Sequence, residues 1–381
     1  MAPPRVDQVV RVDPVAPLTV SGVLLPDGEV RTLRIDGGLV VESAPATAVD
    51  AGADLTGWIV PGLVDVHCHV GLGPAGVVDR EESRRQAEAD RDGGALLLRD
   101  AGSPADTRWI DGEADLPRLV RAGRHIARTR RYQRGFAAEV EPPDLVATVR
   151  EQAAAGDGWV KIVGDWIDRS AGDLGPCWPG DVLADAVRAA HDAGTRVAVH
   201  VFGEDAMDAV VAAGPDSIEH GPGLGADHLD AMADRGIALV PTLVQIANFG
   251  DFAAAGQARF PRYGAHMLAL QARVPRLVRD AHEAGVTVYA GTDAGGVNRH
   301  GLLPAEVALL AGAGLPPAVA LGAASWSARA WLGHGAGVIV GSSADLVVYP
   351  TDPLDGLGVL AHPTAVVLRG RAHRPSGRPG G

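Results

Sequence analysis

Between residues 63 and 292 the chain repeats one texture: a short apolar run, a longer amphipathic stretch, then another apolar run. That alternation selects parallel strands joined by crossover helices, because neighbours in an antiparallel sheet need only a tight turn between them. The runs fall at 63–67, 95–100, 124–128, 159–163, 196–200, 217–220, 237–242 and 287–292. Eight such strands are the count of a (β/α)8 TIM barrel. Helix punctuation agrees with the apolar period: Pro142-Pro143 opens a helix that Gly156 closes, and Pro179-Gly180-Asp181 opens one that Gly194 closes. The third run is rich in Arg, and 244–262 has no clean helical period, so a long loop is expected there.

The two ends read differently. Residues 17–59 and those after Gly337 are short apolar runs broken by Pro26-Asp-Gly, Asp36-Gly-Gly and similar turn signals, which is the spacing of hairpins. The expected organisation is a small β-sandwich from 1–60 and 334–373, a barrel over 61–333, and a disordered tail at 374–381, rich in Gly, Pro and Arg. With 46% hydrophobic residues the chain has ample material for a core. A formal net charge of -13 opposes nucleic-acid or anionic-membrane partners. No stretch approaches the ~20 apolar residues of a membrane span, and residues 1–5 lack the apolar run of a secretion signal, so the expected location is cytoplasmic. Cys68 and Cys177, the two cysteines, suit a reduced compartment. Strand alternation turns Cys68 away from its histidine neighbours, as a packing residue.

Mapped onto these strands, the chemistry-bearing residues cluster. His67 and His69 end the first, Lys161 lies in the fourth, His200 ends the fifth, His220 ends the sixth, and Asp293 follows the eighth. In a closed barrel those carboxyl ends share one rim, where TIM-barrel active sites are built. Two histidines two positions apart point to one side of a strand and can grip one ion, although a lone His-x-His is as often structural. Lys161 alone reads equally well as a lysine snorkelling at a strand end, and Asp293 as a helix cap.

Val60-Pro-Gly-Leu-Val-Asp-Val-His-Cys-His69, Glu219-His-Gly221 and Gly291-Thr-Asp293 together resemble the strand-1, strand-6 and strand-8 signatures of the amidohydrolase superfamily. Ala344-Asp-Leu-Val-Val-Tyr349 resembles the segment that joins the amino-terminal strands beside the barrel, so the likeness spans roughly 17 to 370. Within the superfamily, a strand-4 lysine followed by strand-5 and strand-6 histidines is most similar to the imidazolonepropionase and prolidase-like branch. The resemblance implies two divalent metal ions, with His67, His69 and Asp293 on one, His200 and His220 on the other, and N6-carboxylated Lys161 bridging them. Imidazoles with carboxylate-type oxygens suit Zn²⁺ as the default. It also implies hydrolysis of a C–N bond (amide, peptide or cyclic amide) in a small molecule through a metal-activated hydroxide, with Asp293 as general base and then acid, and homo-oligomers.

Tyr132, Trp166, Arg169, Gln245, Asn298 and His300 follow predicted strands and are candidate substrate contacts; Arg169 suits a carboxylate but reads equally as a solvated loop charge. Phe202 stands near His200 where the branch more often has small or polar residues, so substrate specificity does not carry over. His125, His191, His228, His266 and His282 read as packing or surface residues. The second reading is a mononuclear deaminase, although Glu204 lies one position beyond the glutamate such enzymes place after the strand-5 histidine. The third is a barrel that binds metal or ligand without turnover. No Gly-x-Ser-x-Gly elbow supports a serine hydrolase.

Overall fold

A computed structural model describes residues 16–375, so all but residues 374 and 375 of the expected disordered tail lies outside the described residues. The chain ends build one mixed sheet, ordered Arg371–His373, Ala365–Leu368, Leu346–Tyr349, Leu55–Pro61, Leu18–Leu24, Glu29–Asp36, Leu39–Pro45. Leu346–Tyr349 runs antiparallel to Leu55–Pro61, which stitches the carboxyl-terminal segment to the amino-terminal one. Instead of two stacked layers, the expected sandwich is one hydrogen-bonded sheet that curls until its far turns meet. Gly370 approaches Gly38 so closely that a Cβ on Gly370 would lie 2.8 Å from the Gly38 Cα.

Curling gives this sheet a core of its own, containing Val20, Leu33, Ile35, Ile59, Leu346, Val348 and Val367. The intervening residues Val60, Val347, Tyr349, Val366 and Leu368 point the other way and join the large core of the parallel strands. Both faces of the central strands are therefore covered, which explains why Leu346–Tyr349 is apolar without alternation.

Leu63–Cys68, Ala95–Asp100 and Arg118–Arg121 pair in parallel, as do Ile126–Arg128, Trp159–Val163, Arg196–Val201, Ser217–His220 and Ala238–Val240. Backbone hydrogen bonds from Leu239 N to Thr287 O and from Val66 N to Ala290 O connect 287–290 to strands of both groups. Helices such as Arg80–Asp92, Leu145–Ala155 and Gly180–Asp192 lie between the strands, and Gly156 caps the second of them as the punctuation implied.

Three expectations need correction. The third strand is not 124–128: Arg118–Arg121 takes the place beside Ala95–Asp100, and after Gly123, at φ 67°, the short Ile126–Arg128 pairs with Trp159–Val163. Arg118, Arg121, Arg124 and Arg128 broke up the apolar pattern that would have marked the bend. Residues 287–292 form a single bridge, Leu239 with Val288, and not a regular strand. The stretch 244–262 is not a loop but holds helices Leu243–Ile246 and Phe249–Gly256, too short to display a 3.6-residue period. No helix among the described residues is long and apolar enough to cross a membrane.

Ile59, fully buried in the core of the curled sheet, should on truncation to Ala cost about 2–5 kcal/mol of unfolding free energy in denaturant titrations. A loss below about 0.5 kcal/mol, the usual range for surface changes, would contradict that packing.

Candidate metal centre

Parallel register brings the strand ends together. Val163 pairs with His200 and Val201 with His220, while a bridge between Cys68 and Ala294 sets the first strand beside the segment that carries Asp293. Thr292 N and Asp293 N both donate to His67 O, at 3.1 and 2.7 Å. Asp65 secures the same junction: it accepts from His67 N, Thr292 N and Thr292 Oγ1, and burial pushes its carboxyl up to about 7. The approach is close enough that a Cβ on Gly291 would sit 2.6 Å from the His67 Cβ.

Asp293 Oδ1 lies 3.2 Å from His67 Nε2 and 3.0 Å from His69 Nε2. Lys161 Nζ lies 3.4 Å from His67 Nε2. The His220 ring is 5.1 Å from that of His67 and 4.7 Å from that of His200. All six positions singled out in the sequence thus form one contiguous cluster, and donor atoms of His67, His220 and Asp293 come within 4.8 Å of one another, a group able to hold a metal ion. His220, Thr242 and Asp293 adopt positive φ (68°, 48° and 52°), a costly region for residues other than glycine and one found where surrounding structure imposes a functional geometry. The turn at His220 lets neighbouring residues reach the same point: Glu219 and His220 both approach His67, although regular alternation would send one of them away.

In His67, His69 and His220 the Nδ1 atoms are engaged. His67 Nδ1 donates to Glu219 Oε2 at 2.6 Å, His69 Nδ1 to Gly102 O at 2.8 Å, and His220 Nδ1 lies 2.6 Å from Thr242 Oγ1. Such partners fix ring orientation and make the free nitrogen a better ligand. Glu219 in turn accepts from Arg99 Nη2 at 2.8 Å and Ser217 Oγ at 2.5 Å. The Arg99 guanidinium also donates to Val66 O and stacks 4.4 Å from the centre of the Trp159 ring. Burial opposes ionisation of Glu219, but Arg99, Lys161 and His67 outweigh it and hold the carboxyl well below its usual range.

Burial brings the Lys161 ammonium down to about 8, with Arg99 adding to the effect and Glu219 and Asp293 opposing it. Burial likewise holds His200 and His220 neutral, far below the ordinary histidine value. Asp293 stays ionised because His67 and His69 overcome its desolvation. Neutral imidazoles at His200 and His220, a carboxylate and a readily deprotonated amine are protonation states that metal binding requires, whereas at His69 burial is outweighed by the Asp293 carboxylate, which holds that imidazole above its usual value. His200 Nε2 is buried with no hydrogen-bond partner among the described residues. This donor set fits divalent metal ions.

Around the cluster stand Tyr132, 5.9 Å from the His200 ring; Trp166, 5.6 Å from it; and Phe202, 4.4 Å from it. Arg169 is exposed beside Tyr132 in an adjoining cavity. Gln245 and Asn298 bond to each other and to Asn248, and Asn298 Nδ2 also donates to Thr292 O, so these amides brace the segment carrying Asp293. His300 pairs with Asp90 at 2.7 Å and lines a separate cavity with Leu72 and Gln86. Glu204 is bound to His266 and Arg273.

His125 corrects the sequence reading. It is not a peripheral packing residue: its ring lies 5.9 Å from His69 and 5.1 Å from Tyr132, it donates to the same Gly102 carbonyl as His69, and its buried Nε2 has no partner among the described residues. Burial pushes its imidazole down to about 3. The strand-end rule that found the other histidines would have found it had the third strand been drawn correctly. Arg99, Thr242 and Asn248 were also missed, since nothing local in the sequence distinguishes them.

Residues 141–372 match the amidohydrolase family. The chain belongs to that family. As an amidohydrolase it is a hydrolase acting on carbon–nitrogen bonds, as its sequence signatures implied. It is 52% identical over 376 residues to an uncharacterized protein of Mycobacterium tuberculosis (strain ATCC 25618 / H37Rv), covering 96% of this chain and 100% of that one. An imidazolonepropionase of Chromobacterium violaceum is 26% identical over 268 residues, 59% of this amidohydrolase and 62% of its relative. Among solved structures, a Xaa-Pro dipeptidase with methionine bound in its active site superposes with a TM-score of 0.77 at 23% identity, covering 94% and 100% of the two chains. A putative prolidase from Bifidobacterium longum gives 0.79 at 23%, covering 95% and 96%.

Replacing Glu219 by Gln leaves the Arg99 guanidinium buried without its counter-ion. The change should destabilise this amidohydrolase by about 3–5 kcal/mol, and by less when combined with Arg99→Met, as read from denaturant midpoints. Equal losses in single and double variants would contradict the pairing.

Proposed function

We propose that this chain is a metal-dependent hydrolase of amide bonds in small molecules, with His67, His69, Lys161, His200, His220 and Asp293 holding two divalent ions, Zn²⁺ by default, at the mouth of a (β/α)8 barrel. The barrel would span 61–333, flanked by the sheet from 1–60 and 334–373; the hydrogen bonds linking 287–290 to strands of both parallel groups support closure. The observation that carries the reading is Asp293 Oδ1 between the Nε2 atoms of His67 and His69, with Lys161 Nζ beside them. When bound, the metal pair supplies Lewis acidity and lowers the pKa of water.

The protein's own groups do the rest. Desolvation favours the neutral Lys161 amine, the form that would add carbon dioxide with release of a proton to solvent, and the resulting N6-carboxylate would join His67 and Asp293 among the groups that hold the metal. Asp293, ionised and held by two imidazoles, takes the proton of the attacking water at Oδ1 and returns it to the departing nitrogen. Tyr132, Trp166 and Phe202 form an aromatic wall that limits water at the reacting carbonyl. His125, with its Nε2 unpartnered among the described residues and its ring near those of His69 and Tyr132, would touch substrate.

Dipeptides, N-acyl amino acids and cyclic amides are the substrate classes to test. Similar folds include a Xaa-Pro dipeptidase and a prolidase complexed with N-methylphosphonate-L-proline, and a sequence relative is an imidazolonepropionase. We place the reaction in the cytoplasm.

Asp293→Asn should lower turnover of a cleaved dipeptide or acyl amino acid by about 10²–10⁴-fold while metal, measured by inductively coupled plasma mass spectrometry, stays bound. Full activity in that variant would remove Asp293 from the mechanism.

A further inference from the structure

Tyr132 has two sides. One packs against His125, Trp166 and His200 of the candidate metal centre. The other lines a cavity of about 310 Å³ together with Thr129, Arg130, Arg134, Glu139 and Arg169. Three arginines therefore line one cavity that shares Tyr132 with the candidate metal centre.

These arginines differ from their neighbours in having no side-chain partner among the described residues. Arg124 donates to the carbonyls of Phe136 and Gly135, Arg128 pairs with Glu141, and Arg131 pairs with Asp168. The side chains of Arg130, Arg134 and Arg169 make no hydrogen bond or ion pair with any described residue. Glu139 is the one carboxylate in the cavity wall, and its Oε2 already accepts from Arg130 N at 3.2 Å. Asp168, next to Arg169, is committed to Ser170 N, Ser170 Oγ and Arg131 Nη1.

The cavity walls are also fixed in place. Arg131 ties its own loop, which carries Arg130 and Arg134, to the hairpin of Asp165–Asp168 and Asp173–Pro176 that leads into Arg169. It does so through Asp168 Oδ2 at 3.1 Å, Trp166 O at 3.1 Å and Gly175 O at 2.8 Å. Arg130 sits at φ 58°, a left-handed conformation that a non-glycine residue adopts only when the surrounding turn imposes it. Arginine side chains with free guanidinium forks on a braced backbone are chemistry for a carboxylate, which can accept two parallel hydrogen bonds from one fork.

We propose that Arg130, Arg134 and Arg169 form a carboxylate subsite of the substrate pocket, so that the amide cleaved at the metal centre belongs to a molecule bearing a free carboxylate, an N-acyl amino acid or a dipeptide and not a neutral cyclic amide. The substrate assignment rests on the hydrolase reading above; the anion site itself does not.

Two measurements separate the two. In the first, benzoate and its neutral isostere benzamide are titrated calorimetrically into the protein as purified and into the triple variant Arg130→Met/Arg134→Met/Arg169→Met. All three side chains are exposed and unbonded, and unchanged circular dichroism and melting temperature verify the fold of the variant. Saturable binding of benzoate but not benzamide, lost in the triple variant, supports the subsite. Benzoate binding that survives in the triple variant, or that benzamide matches, overturns it. In the second, acyl amino acids and dipeptides are compared with their carboxamides. The subsite predicts that KM for the free acid rises about 10–100-fold in the triple variant, erasing the preference for acid over carboxamide. Equal wild-type turnover of both forms overturns the substrate assignment. If benzoate binding behaves as expected and no amide in the panel is cleaved, the anion site stands and the hydrolase reading is what fails.

Discussion

The ion pair of Arg99 and Glu219, both essentially without solvent exposure, is the interaction on which the site depends. Two charges at that depth carry a desolvation penalty of several kcal/mol each, which their mutual attraction offsets only when every remaining donor and acceptor is used. Here they are used. Arg99 spends its donors on Glu219, Ser217 and Val66 and lays its face on Trp159; Glu219 takes Arg99 and Ser217 on one oxygen and His67 on the other. The product of this arrangement is one oriented imidazole. With its Nδ1 bound to an ionised carboxylate, His67 must present Nε2 to Asp293 and Lys161.

The rest of the molecule holds that geometry in place. Asp65 and the Gly291 approach fasten Asp293 to the first strand, and Glu306, fully buried, accepts from Leu243 N and Val244 N directly after Thr242, which braces the turn that contacts His220. Positive φ angles at His220, Thr242 and Asp293 persist because these bonds over-determine them. The curled terminal sheet contributes at longer range: its outward residues Val60, Val347 and Tyr349 complete the core beneath the first strand, so the start of the histidine-bearing strand is anchored by both ends of the chain.

How much of this was legible in the sequence depended on whether the signal was local. The strands at 95–100, 159–163 and 217–220 recur with the bounds expected of them, although each carries polar residues (Arg99-Asp100, Lys161, and Ser217 with Glu219-His220). His67, His69, His200, His220 and Asp293 were legible because each closes or follows a strand, and Lys161, inside its strand, because the family resemblance singled it out. What failed was non-local or masked. The third strand was hidden by its arginines, which cost His125 its place in the site. Residues 287–292 pair through scattered bonds without a ladder, and the short helices in 244–262 carry too few turns to show a period. Arg99 and Thr242 act through partners more than twenty residues away or in another strand, and no sequence window contains both members of such a pair.

If the cluster is a two-metal centre, Lys161 is what distinguishes it from a single-ion site, because the histidines and Asp293 alone could serve one ion. The most direct measurement is metal content per chain of protein purified without chelator, for wild type and Lys161→Ala side by side. A bridged pair predicts two equivalents in the wild type, falling to one or fewer in the variant. One equivalent in both would make Lys161 incidental and contradict the two-metal centre.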